Sequence, residues 1–301
     1  MPPLVVLEGS AHARGRGQAH RCPDAAPAVR EAIRTRLAAA PTGTPAARAF
    51  LDRQRDATAR LAPEALAEIA GIAEGFGLDP GEVFVFLHLG CLADLAALAD
   101  DHDGCTAFAR AGVVAKNRDF RPEHAALQRV FAHHDPAWNG RSVLCLGSLG
   151  APGAWSSGMN SDGLALADTQ IPTAEHGPGI LRYFLMNRLL ADCASVTEAL
   201  ALIRALPHAG GGSLVLADAS GAAAAVELRH GRVDVEQGAC VSRTNHYTGA
   251  RDPLAPVGHS ATRLATLRAA LAGTADPRAI LALHGPEALC RHAADPSPTL
   301  A

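Results

Sequence analysis

The chain has 301 residues, 48% of them hydrophobic and 19% charged, with a formal net charge of −3. These figures describe a globular protein with material for one large core or two modest ones, and they exclude a disordered chain. They provide no basic face for nucleic acid or an anionic membrane, and no apolar run approaches the ~18 residues of a membrane span.

The opening "MPPLVVLEGSAHARGRG" carries only a few apolar residues before Glu8, too few for the apolar core of a secretory signal. Its first apolar run, Leu4–Leu7, reads as a short strand. Four segments then show apolar spacings of three and four: "PAVREAIRTRLAAA", "PAARAFLDRQRDATARL", "PEALAEIAGIAEGFG" and "DPGEVFVFLHLGCLADLAALAD". Proline or aspartate opens several of them and "GFG" closes one, so residues 1–104 are expected to be mainly helical. From Cys105 the texture changes to short strands and turns: "CTAFARAGVVAKNRDF", "SVLCLGSLG" and "MNSDGLALADTQI". Two helices, "GILRYFLMNRLLADC" and "VTEALALIRALP", lead into a strand meander from "GGSLVLADASG" to "SRTNHY". The C-terminal part returns to helix with "SATRLATLRAALAG" and "DPRAILALHG". This order predicts a layered α+β fold with antiparallel sheets, in which residues 1–104 and 105–301 form one structural domain. The glycines of "HAGGGS" read as a lead into a strand, since a phosphate loop needs a helix after them.

The seven cysteines (Cys22, Cys91, Cys105, Cys145, Cys193, Cys240 and Cys290) are odd in number and include no CxxC pair. That spacing suits neither a disulfide framework nor a zinc cluster, and it predicts a reduced, cytoplasmic setting. Cys91, Cys145, Cys193 and Cys240 lie in apolar runs and read as core. Cys105 stands apart, in "DHDGCTAFAR". As a free cysteine it can be a small buried hydrophobe. As a nucleophile it needs its proton removed, by a histidine or, were it a chain terminus, by its own α-amine, which titrates near ~8. Gly104 suits the second route, because without a Cβ the preceding peptide bond can be approached closely. The motif "AKNRDF" then returns on a second strand beside Cys105. Asp119 can hold the new ammonium, and Lys116, the only lysine of the chain, or Arg118 can supply positive charge. A solvated hairpin turn is the competing reading of "KNRD".

"DGCTAFA", "KNRDF", "GMNSDGLALADTQI", "SRTNHYT" and "SATRLATL", in that order, resemble the isopenicillin-N (acyl-CoA:6-aminopenicillanic-acid) acyltransferase-like branch of the N-terminal-nucleophile hydrolases. That branch is related to penicillin V acylases and choloylglycine hydrolases, and the opening "EGSAHARGRGQAH" is similar to its N-terminal signature. The resemblance implies an αββα four-layer sandwich and self-cleavage of the Gly104–Cys105 bond. It implies Cys105 as nucleophile with its freed amine as base, and Asp119 in contact with that amine. Lys116 falls where the bile-salt relatives carry an arginine, so charge is kept while the planar fork is lost. Asn245 matches the oxyanion-stabilising asparagine, Gln170 the position of a second donor through its backbone N–H, and Arg263 an arginine near the nucleophile. Asp168 and Thr169, next to that position, depart from the relatives.

Other candidates are weaker. His102 and Asp103 would leave with the first fragment. His133 and His134, beside Asp135, point to opposite faces of a strand and argue against a metal. His246 reads as structural or pocket-lining rather than as a base, Asn160 as a turn former, and Trp138 and Trp155 as packing or pocket-lining. Segments 120–140 and 170–180 read as loops that shape the pocket. The expectation is therefore a self-processing N-terminal-cysteine amidohydrolase or acyltransferase that handles the acyl group of a small amide through a thioester. A dedicated amine acyltransferase and a non-catalytic scaffold on the same fold are the alternatives. No metal or organic cofactor is expected, and coenzyme A enters only as a substrate carrier. The expected partners are a small-molecule amide and an acyl-CoA or amine, with no nucleic acid and no membrane; a homo-oligomer stays open.

Overall fold

The structure, a computed structural model, describes residues 2–97, 104–119, 121–249, 252–254, 258–273, 276–284, 289–290 and 299. His102 and Asp103 lie outside the described residues. The first strand, β1 (Leu4–Glu8), is followed by helices α1 (Ala11–Arg21), α2 (Ala26–Ala38), α3 (Pro45–Leu61), α4 (Pro63–Phe76), α5 (Pro80–Leu87) and α6 (Leu89–Leu95). Local signals set several of these boundaries. Thr44 caps α3 ahead of Pro45, and Asp79 and Glu82 form a reciprocal capping box at α5 with Pro80 in its first turn. Gly77, at φ +66°, ends α4 in the left-handed conformation.

Strands β2 (Gly104–Arg110) and β3 (Val113–Asp119) come next, then β4 (Gln128–His134), β5 (Ser142–Ser148), β6 (Ser157–Asn160) and β7 (Ala165–Thr169). Helices α7 (Arg182–Asp192) and α8 (Val196–Ala205) precede β8 (Ser213–Ala217), β9 (Ala223–Arg229), β10 (Arg232–Gln237) and β11 (Cys240–Arg243). Helices α9 (Gly258–Leu271) and α10 (Pro277–Leu281) complete the described elements. Among the described residues, one sheet runs β1-β4-β5-β6-β7-β8-β9-β10 and a second runs β11-β2-β3. All neighbours are antiparallel except β1 and β4.

The layers follow from which face each strand buries. Phe131, Val143, Leu166, Leu214 and Val226 project from the large sheet into the main core beneath α1, α4, α5 and α7. The opposite faces of β7, β8 and β9 meet the small sheet across Ala167, Val215, Ala217, Ala225, Ala107, Ala109 and Val241. Side chains that are nearly all alanine or valine let the two sheets approach closely. Phe108, which alternates with Ala107 and Ala109 on β2, faces outward onto Leu264, Leu267 and Ile280 of α9 and α10. The order is thus helix, sheet, sheet, helix, as expected for the αββα class. Among the described residues no helix is long and apolar enough to cross a membrane.

Several details differ from the sequence reading. The segment 120–140 is not a loop: residues 128–134 form β4, which holds β1 on one side and β5 on the other. The meander is not one sheet, because β11 leaves β10 and pairs with β2. Cys240, on that edge strand, is exposed rather than core. Helix α1 has no apolar stripe; its buried Gln18 bonds Gly150 and Ala151, and its buried Arg14 pairs with Glu68 and Asp135. Asn160 does shape the β6–β7 turn, where its Oδ1 accepts from Leu164 N and its Nδ2 donates to Leu190 and Cys193 at the end of α7.

Helices α1 and α4 touch backbone to backbone. A Cβ on Gly15 would overlap the Glu68 carbonyl, and one on Gly71 would overlap the His12 carbonyl. Gly71→Ala should therefore cost about 1–3 kcal/mol through overpacking. Gly43→Ala, where nothing lies within 4 Å, should stay within about 0.5 kcal/mol of wild type. Urea titrations of both variants check the difference, and equal midpoints would contradict it.

Candidate active site

The two-residue turn Ala111–Gly112 has both φ angles positive, 49° and 77°. This matches the right-handed twist of a hairpin and fixes its register. Gly104 thereby pairs with Asp119, and Cys105 with Arg118. Alternation puts the side chains of Cys105, Lys116 and Arg118 on the face toward the large sheet, and Thr106, Asn117 and Asp119 on the face toward α9 and α10. Asp119 still reaches the start of the strand: a Cβ on Gly104 would lie 2.5 Å from its Oδ2. Its Oδ1 accepts from Thr299 Oγ1 at 2.6 Å.

Cys105 opens onto a cavity of about 520 Å³ whose walls include Lys116, Arg118, Trp155, Gln170 and Tyr183. On the backbone side, Cys105 N–H donates to Asn245 Oδ1 at 2.8 Å. Arg263 donates to the Cys105 carbonyl (2.6 Å), to Thr106 Oγ1 (2.9 Å) and to Asn245 Oδ1 (2.7 Å). Asn245 Nδ2 donates to the Gln170 carbonyl at 2.7 Å. Because Oδ1 receives two donors, the amide orientation is determined by its partners, and Nδ2 keeps one further N–H. Asn245 N–H donates to Ser260 Oγ, which His246 Nδ1 also meets at 2.8 Å. His246 is therefore structural: it braces the first turn of α9 against the Asn245 segment.

On the side-chain face the charges are strongly arranged. Asp168 on β7 receives Lys116 Nζ at 2.5 Å and Arg182 Nε at 2.9 Å. Burial opposes ionisation of Asp168, but the Lys116 ammonium and the Arg182 guanidinium overcome it and hold its pKa below the usual carboxylate range. Arg182 also donates to the Gly211 carbonyl and to Gln170 Oε1. Burial raises the Cys105 thiol pKa, Lys116 and Arg118 pull it down, and Asp168 pushes it up; the net direction is upward. In the continuous chain the thiol thus stays protonated at neutral pH.

Trp155 is both packed and pocket-lining. The Arg118 guanidinium lies 4.6 Å above its ring, and Phe86, His124 and Tyr183 surround it. Burial, then Arg36, Arg118 and Arg121, lower the His124 pKa to about 3, so it packs as a neutral ring. Trp138 instead lies under Arg14, away from the cavity. His133 and His134 face opposite sides of β4, and Asp135 pairs with Arg14. The structure thus gathers Cys105, Gly104, Lys116, Arg118, Asp119, Gln170, Asn245 and Arg263 in one place. Sequence reasoning missed Arg182, which stands in "GILRYFLMNRLLADC" as one of several polar residues of an ordinary helix. It also missed His176, whose Nδ1 meets the Ala209 carbonyl at 3.0 Å and whose Nε2 meets Asp94 Oδ2 at 2.7 Å.

Two expected outcomes follow from these charges. Lys116→Met removes a cation that lowers the thiol pKa. The pH profile for iodoacetamide labelling of Cys105 should move to higher pH, with Lys116→Arg moving it back; an unmoved profile would contradict the arrangement. At His176 both ring nitrogens face acceptors, which requires the imidazolium. Burial opposes that charge, but Cys91 and Asp94 raise its pKa to about 11. With the folded value raised, its stabilisation is full below about 6.5 and is lost as pH rises through about 11. Nitrogen NMR should show both ring nitrogens protonated at pH 8, and a neutral ring there would contradict the geometry.

Comparisons with known proteins bear on this site. The model of the family described as acyl-coenzyme A:6-aminopenicillanic acid acyl-transferase matches residues 107–291. Among solved structures, the chain is similar to a variant of the conjugated bile acid hydrolase from Clostridium perfringens, with 15% identity over 56% of this chain and 57% of that one and a TM-score of 0.35. It is also similar to penicillin V acylase from Agrobacterium tumefaciens, with 17% identity over 55% and 56% and a TM-score of 0.33. The match therefore spans little more than half the length of either solved chain. No curated protein matches.

Proposed function

From the premise that the chain belongs to the acyl-coenzyme A:6-aminopenicillanic acid acyl-transferase family, we propose that it is a self-processing N-terminal-cysteine enzyme acting on a small N-acyl amide. The observation that carries this reading is the meeting, at one end of β2, of the Cys105 thiol, its own nitrogen and Asn245.

In the processing step, Cys105 Sγ attacks the Gly104 carbonyl. The C–N bond breaks, the nitrogen takes the proton and becomes an α-amine, and water then hydrolyses the thioester. Gly104 permits this approach, and Asp119, packed against it, is positioned to hold the resulting ammonium. The chemistry then repeats on substrate. The amine accepts the thiol proton, and Sγ adds to the amide carbonyl. The oxyanion rests on the remaining Asn245 N–H and on a donor near Gln170. The leaving amine departs with that proton, and a Cys105 thioester remains.

Arg263 acts as a positioning residue: it fixes the Cys105 carbonyl and the Asn245 amide in one fork. Lys116 and Arg118 supply a positive field that counters part of the cost of burying the sulfur. Trp155 and its neighbours offer an apolar wall for the acyl group. Water is the default acceptor of that group, which favours hydrolysis. The family's description as an acyl-transferase favours a second reading, in which an amine takes the acyl group. Added amines should then accelerate decay of the acyl-enzyme; amine-independent decay contradicts that reading.

Denaturing mass spectrometry tests the first step. Wild-type protein should give two fragments, the second beginning at Cys105, and Cys105→Ala should stay whole. Asn245→Ala should lower turnover about 10²–10³-fold, the usual cost of a lost oxyanion donor. An intact wild-type chain that is fully active would overturn the amine-as-base mechanism.

A further inference from the structure

Two polar side chains on the face of β3 toward α9 and α10 are held by the C-terminal part of the chain. Asn117 and Asp119, two residues apart on the strand, project from that same face, and both are buried. Asn117 Nδ2 donates to the carbonyl of Leu281, the last residue of α10, at 2.6 Å and to that of Leu289 at 2.7 Å. Leu289 packs with Phe108, Leu264, Leu267 and Ile280 in the layer outside the small sheet. At Asp119 the contact is made by Thr299. Its backbone forms an antiparallel bridge with Asp119, on the edge of β3 that faces away from β2. The row across the sheet at that level therefore reads Gly104, Asp119, Thr299. The Thr299 hydroxyl donates to Asp119 Oδ1 at 2.6 Å.

The other carboxylate oxygen is turned toward the bond that the proposed reaction cleaves: Oδ2 would lie 2.5 Å from a Cβ on Gly104. An ionised carboxylate only accepts hydrogen bonds, and its terminal torsion is broad. A bond to Oδ1 fixes that rotation and with it the direction of Oδ2. The 2.6 Å separation is that of a charge-assisted O–H···O⁻ bond. The donor is also neutral. A lysine or arginine in its place would offset the carboxylate charge and weaken its hold on an ammonium, whereas a hydroxyl orients the charge and leaves it whole.

We propose that Thr299 is a positioning residue for Asp119, so that self-cleavage at Gly104–Cys105 depends on docking of the C-terminal segment. The inference rests on the self-processing reading of Cys105, and it adds a residue beyond the 107–291 stretch that the family model matches. Among the described residues, the cavity wall includes Asp119 but not Thr299; Thr299 acts through Asp119. In the cleavage step Sγ bonds to the Gly104 carbonyl carbon, the C–N bond breaks, and the nitrogen leaves with the thiol proton as an amine. An Oδ2 already held in place meets that amine as it forms. In the processed enzyme the same oxygen orients the amine for the thiol proton of each turnover.

Timed denaturing mass spectrometry of the chain made by cell-free synthesis reads the step. Thr299→Val keeps the side-chain shape and removes the hydroxyl. It should form the fragment beginning at Cys105 about 10- to 100-fold more slowly than wild type, the scale expected when an oriented group loses a charge-assisted bond. Thr299→Ser, which keeps the hydroxyl, should cleave at the wild-type rate. Once cleaved, Thr299→Val should show a lower kcat on an N-acyl amide with KM unchanged, because the cavity that receives the substrate is intact. Equal cleavage rates and equal kcat in wild type and Thr299→Val would overturn the inference and leave the self-processing reading standing. So would a Thr299→Ser chain as slow as Thr299→Val, since the hydroxyl would then not be the group at work. A wild-type chain that stays whole would overturn the self-processing reading itself, and this inference with it.

Discussion

The site depends on one buried clasp. The Arg263 guanidinium ties the Cys105 carbonyl, the Thr106 hydroxyl and the Asn245 side chain together, and Asn245 in turn holds the Cys105 nitrogen. Three distant parts of the chain, β2, the segment after β11 and α9, meet at that point. Removing the arginine would take a donor from the buried Cys105 carbonyl, a cost of about 1–3 kcal/mol, while Asn245 Oδ1 would keep only the Cys105 N–H. The clasp works only because β11 pairs with β2 rather than with β10, which brings Asn245 to Cys105, the second residue of that strand. A second brace, Asp168 between Lys116 and Arg182, does the same on the sulfur side.

Much of this was legible in the sequence, for identifiable reasons. "RAGV" between two apolar runs announces a tight hairpin, and counting back from it sets Asp119 against Gly104. The proline and aspartate starts of α3, α4 and α5 mark their boundaries, and the alanine-rich strands alternate as inter-sheet residues do. The ordered motifs around Cys105, Lys116, Asn245 and Arg263 pointed to residues that the fold brings together.

The rest was hidden because it rests on long-range pairing. Helix α1 reads as polar, since its buried face is Arg14, Gly15 and Gln18, whose partners are Glu68, Asp135 and a loop at 150–151. Strand β4 sits in a stretch rich in histidine and proline neighbours, and only β1 and β5 on either side make it a strand. Arg182 looks like an ordinary helix residue until β7 places Asp168 beside it. Cys240 reads as core from its apolar neighbours, yet it lies at the rim of a sheet edge.

The sulfur at position 105 carries the whole account, and the chemistry should leave its mark there. The most direct measurement is peptide mapping by mass spectrometry after a rapid acid quench during turnover of an N-acyl amide. The account predicts the acyl group on the peptide that begins with Cys105, released by hydroxylamine as a thioester should be. Product formation with the acyl group on any other residue, or on none, would contradict it.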